Sequence, residues 1–407
     1  MKYAFILGRE PALSTAEIIA CLKSEGLNPD PRACLYSPTV LIVEVEQELK
    51  PEFFFNLGGS LKFAEVLGGS LGALEDDLFD ILSGLENPSL DFGLSLYATE
   101  PALSSGYRNL MRGLRPLSLT LKKRLKEYSE KSIRVVLPDG PALTAVQVDK
   151  NKLIEKGAEL LILVGQGAVQ IAKTIAVQDF EDFAERDFGR PKADALSGML
   201  PPKLARMMVN LTGAPKTAAL LDPFCGSGTI LTEAIAIGHQ AIIASDVSEK
   251  AVTDTRTNVE WMLKRTGFRL KSLKIFESDV KDLAEHLAPN TVEAISSEPF
   301  LGPPLRGYES DQALHHVLLE LMGLYRRAFA AYAKVLKPGS PVVFVFPVLG
   351  TSHVNILSEL RELGFTAEAL LPGRAAEELG LKTPVGLIYR RLDQRVGREI
   401  FRFRFKG

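Results

Sequence analysis

The chain has 407 residues, of which 46% are hydrophobic and 24% are charged, and its formal net charge is −2. This balance is typical of soluble globular proteins, and the length predicts two or three domains. The first apolar run is too short for a signal peptide, and no apolar stretch reaches the length of a membrane span. We therefore expect a cytoplasmic protein with no membrane contact. Three cysteines and five histidines without ligand spacing predict neither a metal site nor a disulfide framework.

Residues 1–91 predict a small α/β domain. A strand, KYAFILG, precedes the amphipathic segment STAEIIACLKSEG, in which Ser14 and Glu17 have the spacing of a capping box. A second strand, TVLIVEVE, follows. The acidic stretch that contains Pro and Gly at 83–93 predicts the domain boundary.

Residues 92–180 predict a second domain of short strands with one basic helix, and residues 181–202, which are charged and then rich in Gly and Pro, predict a linker.

Charge is distributed unevenly along the sequence. Residues 74–91 carry six acids and no base, whereas residues 108–134 carry nine bases and two acids, and residues 390–407 carry seven bases and two acids. The two basic segments predict separate parts of one polyanion-binding surface. The alternative is that each is a solvated face.

Residues 203–407 predict an α/β domain with a doubly wound, mostly parallel sheet. Five candidate strands alternate with helical stretches, which is the pattern of this fold. The last two candidates, GLIYRRL and IFRFRF, are close enough to pair antiparallel. Phe401, Phe403 and Phe405 alternate with Arg402 and Arg404, so the two residue types should face opposite sides.

The stretch LLDPFCGSGTILTEA (220–234) predicts a cofactor-binding loop. An apolar strand leads into a Gly-rich turn and then a helix, an arrangement that lets the backbone approach a ligand closely. The spacing is neither that of a dinucleotide fingerprint nor that of a phosphate loop. It fits a loop around the amino-acid end of S-adenosylmethionine. The candidate cofactor-binding residues here are Asp222, Pro223, Phe224, Gly226, Ser227, Gly228 and Thr229.

Two further acids follow the next two predicted strands. Asp246, with Val247 beside it, lies eighteen residues after Gly228, where an acid accepts hydrogen bonds from ribose hydroxyls. Asp279, with Val280 beside it, is placed to accept from an adenine amino group. Each aspartate has an alternative role as a helix N-cap.

The stretch AISSEPFLGPPLRG (294–307) predicts the catalytic loop. An exocyclic amine on a nucleobase is a poor nucleophile, and acceptors for its two N–H groups can orient it for transfer. Glu298 and the carbonyl of Pro299 can supply these acceptors, and Phe300 can stack on the base. The alternative for Glu298 is an ordinary solvated carboxylate.

The whole chain resembles the THUMP-domain tRNA guanosine-N2 methyltransferases that modify position 10. The segment RDFGRPKADALSGMLPPKLARMMVNL (186–211) and the loop DPFCGSGT resemble the signatures of that family, residues 92–180 resemble a THUMP domain, and residues 1–91 resemble the ferredoxin-like domain that precedes it. The resemblance implies a class I methyltransferase fold, S-adenosylmethionine as cofactor, tRNA as partner and direct in-line transfer to N2. Some relatives work with a small activating subunit; we expect a monomer.

One loop departs from the family pattern of Asp or Asn, Pro, Pro, Tyr, Gly. Here the residues from Glu298 to Gly302 read Glu-Pro-Phe-Leu-Gly, and an alignment shifted by one places Ser297 at the acid. The departure leaves two alternatives open: methylation of another RNA or DNA amino group, such as guanine in rRNA or adenine N6, and an RNA-binding protein with weakened catalysis. The candidate substrate-binding residues are Arg306, Arg190, Lys122, Lys123 and Arg124.

Overall fold

The computed structural model describes residues 1–100, 104–165, 168–192, 199–391 and 394–407. Contacts divide these residues into two units. Unit 1 comprises Met1–Thr15, Leu27–Phe180 and Arg374–Leu381, and unit 2 comprises Ala16–Gly26, Glu181–Gly373 and Lys382–Gly407. None of the helices in these ranges is long and apolar enough to cross a membrane.

The elements up to residue 177 include the strands that form the sheet of unit 1. These elements are β1 (Lys2–Leu7), α1 (Pro11–Ser24), β2 (Leu35–Tyr36), β3 (Val40–Glu44), α2 (Pro51–Phe55), β4 (Ser60–Gly68), α3 (Leu74–Ser83), β5 (Ser89–Ala98), α4 (Ser105–Tyr128), β6 (Ser132–Val136), α5 (Ala145–Lys150), α6 (Leu153–Lys156), β7 (Gly157–Val164) and β8 (Val169–Val177). Most of α1 belongs to unit 2.

Strands from both predicted N-terminal domains form one sheet. Its order in the described residues is β2-β3-β1-β4-β8-β7-β5-β6, and β4 pairs with β8 antiparallel. The boundary predicted after residue 91 lies inside β5, whose Leu90 and Phe92 are buried. The acidic stretch with Pro and Gly therefore precedes an inner strand rather than a break between separate sheets. The division into 1–91 and 92–180 stays a prediction.

The predicted capping box is wrong, because α1 begins at Pro11 and Ser14 lies inside the helix. The buried Ser14 Oγ donates to the carbonyl of Gly59 at 2.7 Å. Glu17 is buried as well, and its Oε1 accepts from Asn210 Nδ2 at 2.7 Å. Both polar side chains thus form hydrogen bonds with residues that are distant in the sequence. The local spacing could not reveal these contacts.

The remaining elements belong to unit 2, with two exceptions. The remaining elements are α7 (Phe180–Phe188), α8 (Pro202–Thr212), β9 (Ala219–Asp222), α9 (Thr229–Ala236), β10 (Ala241–Asp246), α10 (Glu249–Thr266), β11 (Ser272–Glu277), α11 (Leu283–His286), β12 (Ala294–Ser297), α12 (Asp311–Val335), β13 (Pro341–Leu349), β14 (Ser352–His353), α13 (Leu357–Glu362), β15 (Phe365–Glu368), α14 (Gly373–Glu378), β16 (Gly386–Tyr389) and β17 (Val396–Phe405). The exceptions are α7, which begins at Phe180 of unit 1, and α14, which lies in unit 1 apart from Gly373.

The sheet of unit 2 confirms the predicted doubly wound α/β fold. Across the described residues its order is β11-β10-β9-β12-β13-β17-β15, and the strands from β11 to β13 run parallel. β17 is antiparallel to β13, β15 and β16. Its pairing with β16 confirms the antiparallel pair predicted from GLIYRRL and IFRFRF. Apolar residues fill nine consecutive buried positions of β13, as expected for a strand covered on both faces.

An aromatic cluster holds β17 in register beside β13. The ring of Phe329 on α12 meets those of Phe344, Phe365 and Phe403 edge-on, with centroids 4.9–5.2 Å apart. Such contacts add to the burial energy and depend on ring orientation. Because side chains alternate along a strand, this packing turns the arginines of β17 away from the cluster.

The segment 181–202 stays a linker by prediction. α7 covers residues 181–188 of it, and residues 193–198 lie outside the described residues. Arg186 of α7 is buried, and its Nε donates to Glu233 Oε1 of α9 at 2.6 Å. Arg206 of α8 donates to Glu233 Oε2 at 2.8 Å. The two arginines therefore anchor the helix that follows the Gly-rich loop.

Candidate active site

The candidate site lies where the strand order of unit 2 reverses. β9 leads to β10 and β11 on one side, whereas β12 pairs with the other edge of β9. Ligands of open α/β sheets bind at the carboxyl ends of the strands at this reversal. Asp222 ends β9 and Ser297 ends β12, and the Ser297 hydroxyl donates to Asp222 Oδ1 at 2.7 Å.

The Gly-rich loop is held by side chains from neighbouring elements. The Gly226 amide donates to Asp246 Oδ2 at 3.0 Å, and the Gly226 carbonyl accepts from Thr255 Oγ1 at 2.8 Å. Asn258 Nδ2 donates to the Ser227 carbonyl at 2.8 Å. Gly228 has φ +83°, and a Cβ there would lie 3.1 Å from Thr255 Oγ1, so a glycine is required. These contacts therefore hold the backbone of the loop in place.

A cavity of about 240 Å³ opens between this loop and the catalytic loop. Five of the predicted cofactor-binding residues line it together with Glu298, so the structure brings both predicted loops to one cavity. The lining residues are Met199, Leu200, Asp222, Phe224, Cys225, Gly226, Ser227, Thr229, Ile230, Ser248, Lys250, Ala251, Asp254 and Glu298.

The two further acids differ in their surroundings. Asp246 supports the loop through Gly226, and its Oδ1 accepts from the Ser248 amide at 3.0 Å. Ser248, rather than Asp246, caps α10. Asp279 caps the short 3-10 helix Val280–Asp282, and its hydrogen bond from the Lys281 amide is the main cause that lowers the pKa of its carboxyl.

Neither acid lines the cavity, so their ribose and adenine roles remain predictions. The adjacent valines differ as well, since Val247 is exposed and Val280 is buried. Pro223, between Asp222 and the turn, is also buried.

The Asp222 carboxyl in the cavity wall has a strongly shifted pKa. Burial raises the pKa of its carboxyl to about 7, and the nearby charges of Asp246 and Glu298 act in the same direction. Hydrogen bonds from Ser297 and the Phe224 amide oppose this shift. The carboxyl therefore changes its charge close to neutral pH.

Glu298 is not an ordinary solvated carboxylate. Its side chain is 15% exposed, and that of Arg398 on β17 is 4% exposed. Arg398 Nε donates to Glu298 Oε1 at 2.5 Å, and Nη2 lies 3.4 Å from Oε2. Arg398 Nη1 also donates to Gln394 Oε1 at 2.6 Å. The guanidinium fixes the orientation of the carboxylate at the cavity wall.

The rest of the catalytic loop has a defined backbone. Pro299 is buried, whereas Phe300 is 58% exposed. The carbonyl of Phe300 accepts from the hydroxyl of the buried Tyr325 at 2.8 Å. Gly302 has φ +100°, and a Cβ there would lie 3.1 Å from a methyl group of Val317. The glycine of the family pattern is thus required at this position.

The two candidate substrate-binding residues of unit 2, Arg306 and Arg190, differ in their exposure to solvent. Arg306 is exposed, and its Nη1 donates to the Tyr308 hydroxyl at 3.0 Å. Arg190 is buried, and its Nη1 donates to Thr229 Oγ1 at 2.5 Å. The guanidinium of Arg190 is therefore held at the start of α9, and its contact with the substrate stays a prediction.

The basic helix α4 in unit 1 is partly neutralised by the acidic segment that precedes it. Arg124 donates to Glu75 at 2.6 Å and to Asp76 at 2.9 Å, both on α3. These hydrogen bonds raise the pKa of Arg124, and its contact with the substrate stays a prediction. Lys123 stays 80% exposed, 3.9 Å from Glu127, and Lys122 is half-buried.

Sequence reasoning missed several residues that shape the site. Arg398 orients Glu298, Tyr325 holds the Phe300 carbonyl, and Asn258 holds the Gly-rich loop. Only Arg398 had a usable signal, because it belongs to the basic face of the closing strand. Among the described residues, no group of three or more His, Cys, Asp or Glu side chains could hold a metal ion.

Comparisons with known proteins relate this chain to methyltransferases. Residues 190–333 match the UPF0020 family, described as an RMKL-like methyltransferase domain. Two curated relatives are named tRNA (guanine(10)-N2)-dimethyltransferase. The relative from Pyrococcus abyssi is 30% identical over 189 residues, which are 45% of this chain and 52% of the relative. The relative from Methanothermobacter thermautotrophicus is 35% identical over 105 residues, which are 26% of this chain and 28% of the relative.

These findings confirm the resemblance to tRNA guanosine-N2 methyltransferases. The aligned part of the chain nevertheless spans about half or less of the length of these two relatives. TrmN from Thermus thermophilus, a solved structure, matches over 100% of both chains with a TM-score of 0.52 and 16% identity. A likeness at this identity establishes the fold alone.

Proposed function

We propose that the protein is an S-adenosylmethionine-dependent methyltransferase that modifies the exocyclic N2 amine of a guanosine in tRNA. The observation that carries this proposal is the position of Glu298, which lines the same cavity as the Gly-rich loop. An enzyme that methylates an amine needs an acceptor for the N–H groups of that amine beside the cofactor. A carboxylate at this position can supply it.

The residues of the cavity suit the cofactor. The Gly-rich loop lets its backbone approach a ligand closely, and above about pH 7 Asp222 offers a carboxylate for a cationic amino group. When bound, S-adenosylmethionine supplies an activated methyl group on a sulfonium. Asp222, Phe224, Gly226, Ser227 and Thr229 would hold it, and Asp246 would act mainly by fixing the loop.

The catalytic loop would bind and orient the base. Glu298 keeps lone pairs for an amine N–H while Arg398 holds its carboxylate in place. The carbonyl of Pro299 would accept the other N–H, and the exposed ring of Phe300 would stack on the base. Ser297 is fully buried and bonded to Asp222, which supports Glu298 rather than Ser297 as the acceptor.

The tRNA would be bound in part by basic side chains of α4 that remain exposed, such as Lys123. The names of the curated relatives support tRNA as the substrate and position 10 as the site of modification. The THUMP character of residues 92–180, the monomeric state, the small activating subunit and the cytoplasmic location stay predictions.

The test is to incubate the purified protein with bulk tRNA and methyl-labelled S-adenosylmethionine, digest the RNA and identify the labelled nucleoside. Labelled N2-methylguanosine or N2,N2-dimethylguanosine is expected. A label on adenosine would contradict the proposed substrate. Binding of cofactor and tRNA without any label would indicate an RNA-binding protein with weakened catalysis.

A further inference from the structure

A second cavity lies beside the catalytic loop of unit 2 and has no role in the proposed transfer. Its volume is about 590 Å³, and its wall contains three arginines and one glutamate. We refer to it as the arginine groove. Its lining residues are Leu305, Gly307, Glu309, Leu314, Gly350, Arg390, Arg391, Gln394 and Arg395.

The arginine groove is connected to the candidate catalytic carboxylate. Leu305 and Gly307 belong to the loop that begins at Glu298. Gln394 accepts a hydrogen bond from Arg398, which in turn holds Glu298. One guanidinium therefore contacts both the catalytic carboxylate and the groove wall, and a ligand in the groove would lie next to the substrate base.

A close backbone approach places Arg395 in the groove wall. Gly307 has φ +96°, and a Cβ there would overlap the guanidinium of Arg395. The positive φ favours a glycine at this position, and the flexible side chain of Arg395 lies against it in the groove wall. Arg390 donates to the Gly350 carbonyl at 3.2 Å, which holds it at the rim.

Among the described residues that line the groove, three are arginines and one is a glutamate. Glu309 accepts from the backbone amides of Arg306 and Gly307, so its carboxylate closes the turn. Arg391 and Arg395 bring two positive charges to one cavity, and an anion bound between them would reduce their mutual repulsion. The planar guanidinium fork matches the geometry of a phosphate.

We propose that the arginine groove binds a backbone phosphate of the RNA strand, next to the nucleotide whose base lies beside Glu298. This inference rests on the proposed function, since it assumes an RNA substrate. The contact would position the strand without reading its sequence, as phosphate contacts do. Arg391 and Arg395 would be its main donors.

The experiment compares wild type with Arg391→Ala/Arg395→Ala. The matched control, Arg269→Ala/Lys271→Ala, removes two exposed basic residues that precede β11, at the opposite end of the strands. Binding of fluorescently labelled tRNA is measured between 50 and about 200 mM salt, the range in which phosphate contacts are resolved. Binding of S-adenosylmethionine and thermal unfolding are measured in parallel.

The groove variant should bind tRNA about tenfold more weakly, and the slope of log affinity against log salt should fall by about one per lost phosphate contact. The KM for tRNA should rise while kcat at saturating tRNA and cofactor affinity stay near wild type. Affinity and slope equal to those of the control pair would overturn the proposal. Arg391→Gln/Arg395→Gln serves if the alanine variant fails to fold.

The outcomes separate this inference from the proposed function. A wild-type protein that binds tRNA without methylating it, and loses the slope in the variant, would support the groove and contradict the function. A wild-type protein that binds no tRNA would overturn both. If an acidic peptide of equal charge displaced the tRNA and bound more tightly than RNA, the groove would be a protein-binding site and the proposal would be wrong.

Discussion

Arg398 of β17 and Glu298 of the catalytic loop form an ion pair in which Arg398 Nε donates to Glu298 Oε1 at 2.5 Å. The two residues are 100 positions apart in the sequence. Glu298 is one methylene longer than the aspartate of the family pattern, and the guanidinium limits where the longer side chain can place its oxygens. The pair explains how a divergent loop can still present an ordered acceptor.

We predict that Arg398→Ala lowers kcat about a hundredfold, because a carboxylate displaced by about 1 Å orients the amine poorly. Arg398→Lys should recover part of this loss, since it keeps the charge without the planar fork. The KM values for tRNA and cofactor should change little. Steady-state methylation kinetics measure all three. Arg404→Ala is the matched control, because Arg404 lies on the same strand and pairs with Glu368 instead. A loss in Arg404→Ala equal to that in Arg398→Ala would contradict the positioning role.

We predict that Glu298→Ala abolishes methylation and spares cofactor binding. It should also destabilise the protein by about 3 kcal/mol, because it removes the carboxylate that pairs with the buried guanidinium of Arg398. The double variant Glu298→Ala/Arg398→Ala should recover stability but no activity. Denaturant unfolding, equilibrium dialysis with labelled cofactor and the methylation assay distinguish these effects. Activity that returned with stability would show that Glu298 acts only in folding.

The raised pKa of Asp222 predicts a pH-dependent contribution to stability. The folded protein holds this proton up to about pH 7, whereas the unfolded chain releases it near 3.8. The stabilisation from the neutral carboxyl is therefore present in acid and is lost as pH rises through this window, by about 1.4 kcal/mol per pH unit at most.

Asp222→Asn should lack this contribution, so the difference in unfolding free energy between wild type and variant should favour wild type less as pH rises from 5 to about 7. Above this range the difference should level off. Denaturant titrations of both proteins across the series measure it. A difference that stayed constant across the window would contradict the raised pKa.

The two adjacent basic residues on α4 should contribute differently to RNA binding. Lys123→Ala should weaken tRNA binding severalfold and reduce the salt slope by about one, because its side chain is exposed. Arg124→Ala should leave both nearly unchanged, because Glu75 and Asp76 already neutralise Arg124. Titrations with labelled tRNA compare the two. Equal losses of tRNA affinity in both variants would show that RNA displaces Glu75 and Asp76 from Arg124.

Local sequence was sufficient to predict the Gly-rich loop between a strand and a helix, and the parallel strands. The turn at Gly226 and Gly228, the strand ending at Asp222 and the helix after it depend on neighbouring residues and on glycine conformations. The alternation at Phe401 and Phe403 likewise predicted the closing strand and its two faces.

Contacts between distant residues were beyond the reach of the same reasoning. The pairing of Arg398 with Glu298 depends on the register of β17 against β13, which the aromatic cluster sets. Arg190 and Arg124 were assigned to the substrate from charge alone, but folding brought each to a partner within its own unit. Charge in a sequence indicates a binding surface only after such pairs are known.

The most direct test of the account is parallel methylation of tRNA by wild type, Arg404→Ala and Glu298→Ala/Arg398→Ala, followed by identification of the labelled nucleoside. The account predicts labelled N2-methylated guanosine from wild type and Arg404→Ala. It predicts none from the double variant, which should still bind cofactor and tRNA. Labelled guanosine from the double variant at the wild-type rate would contradict the catalytic role of the Glu298–Arg398 pair.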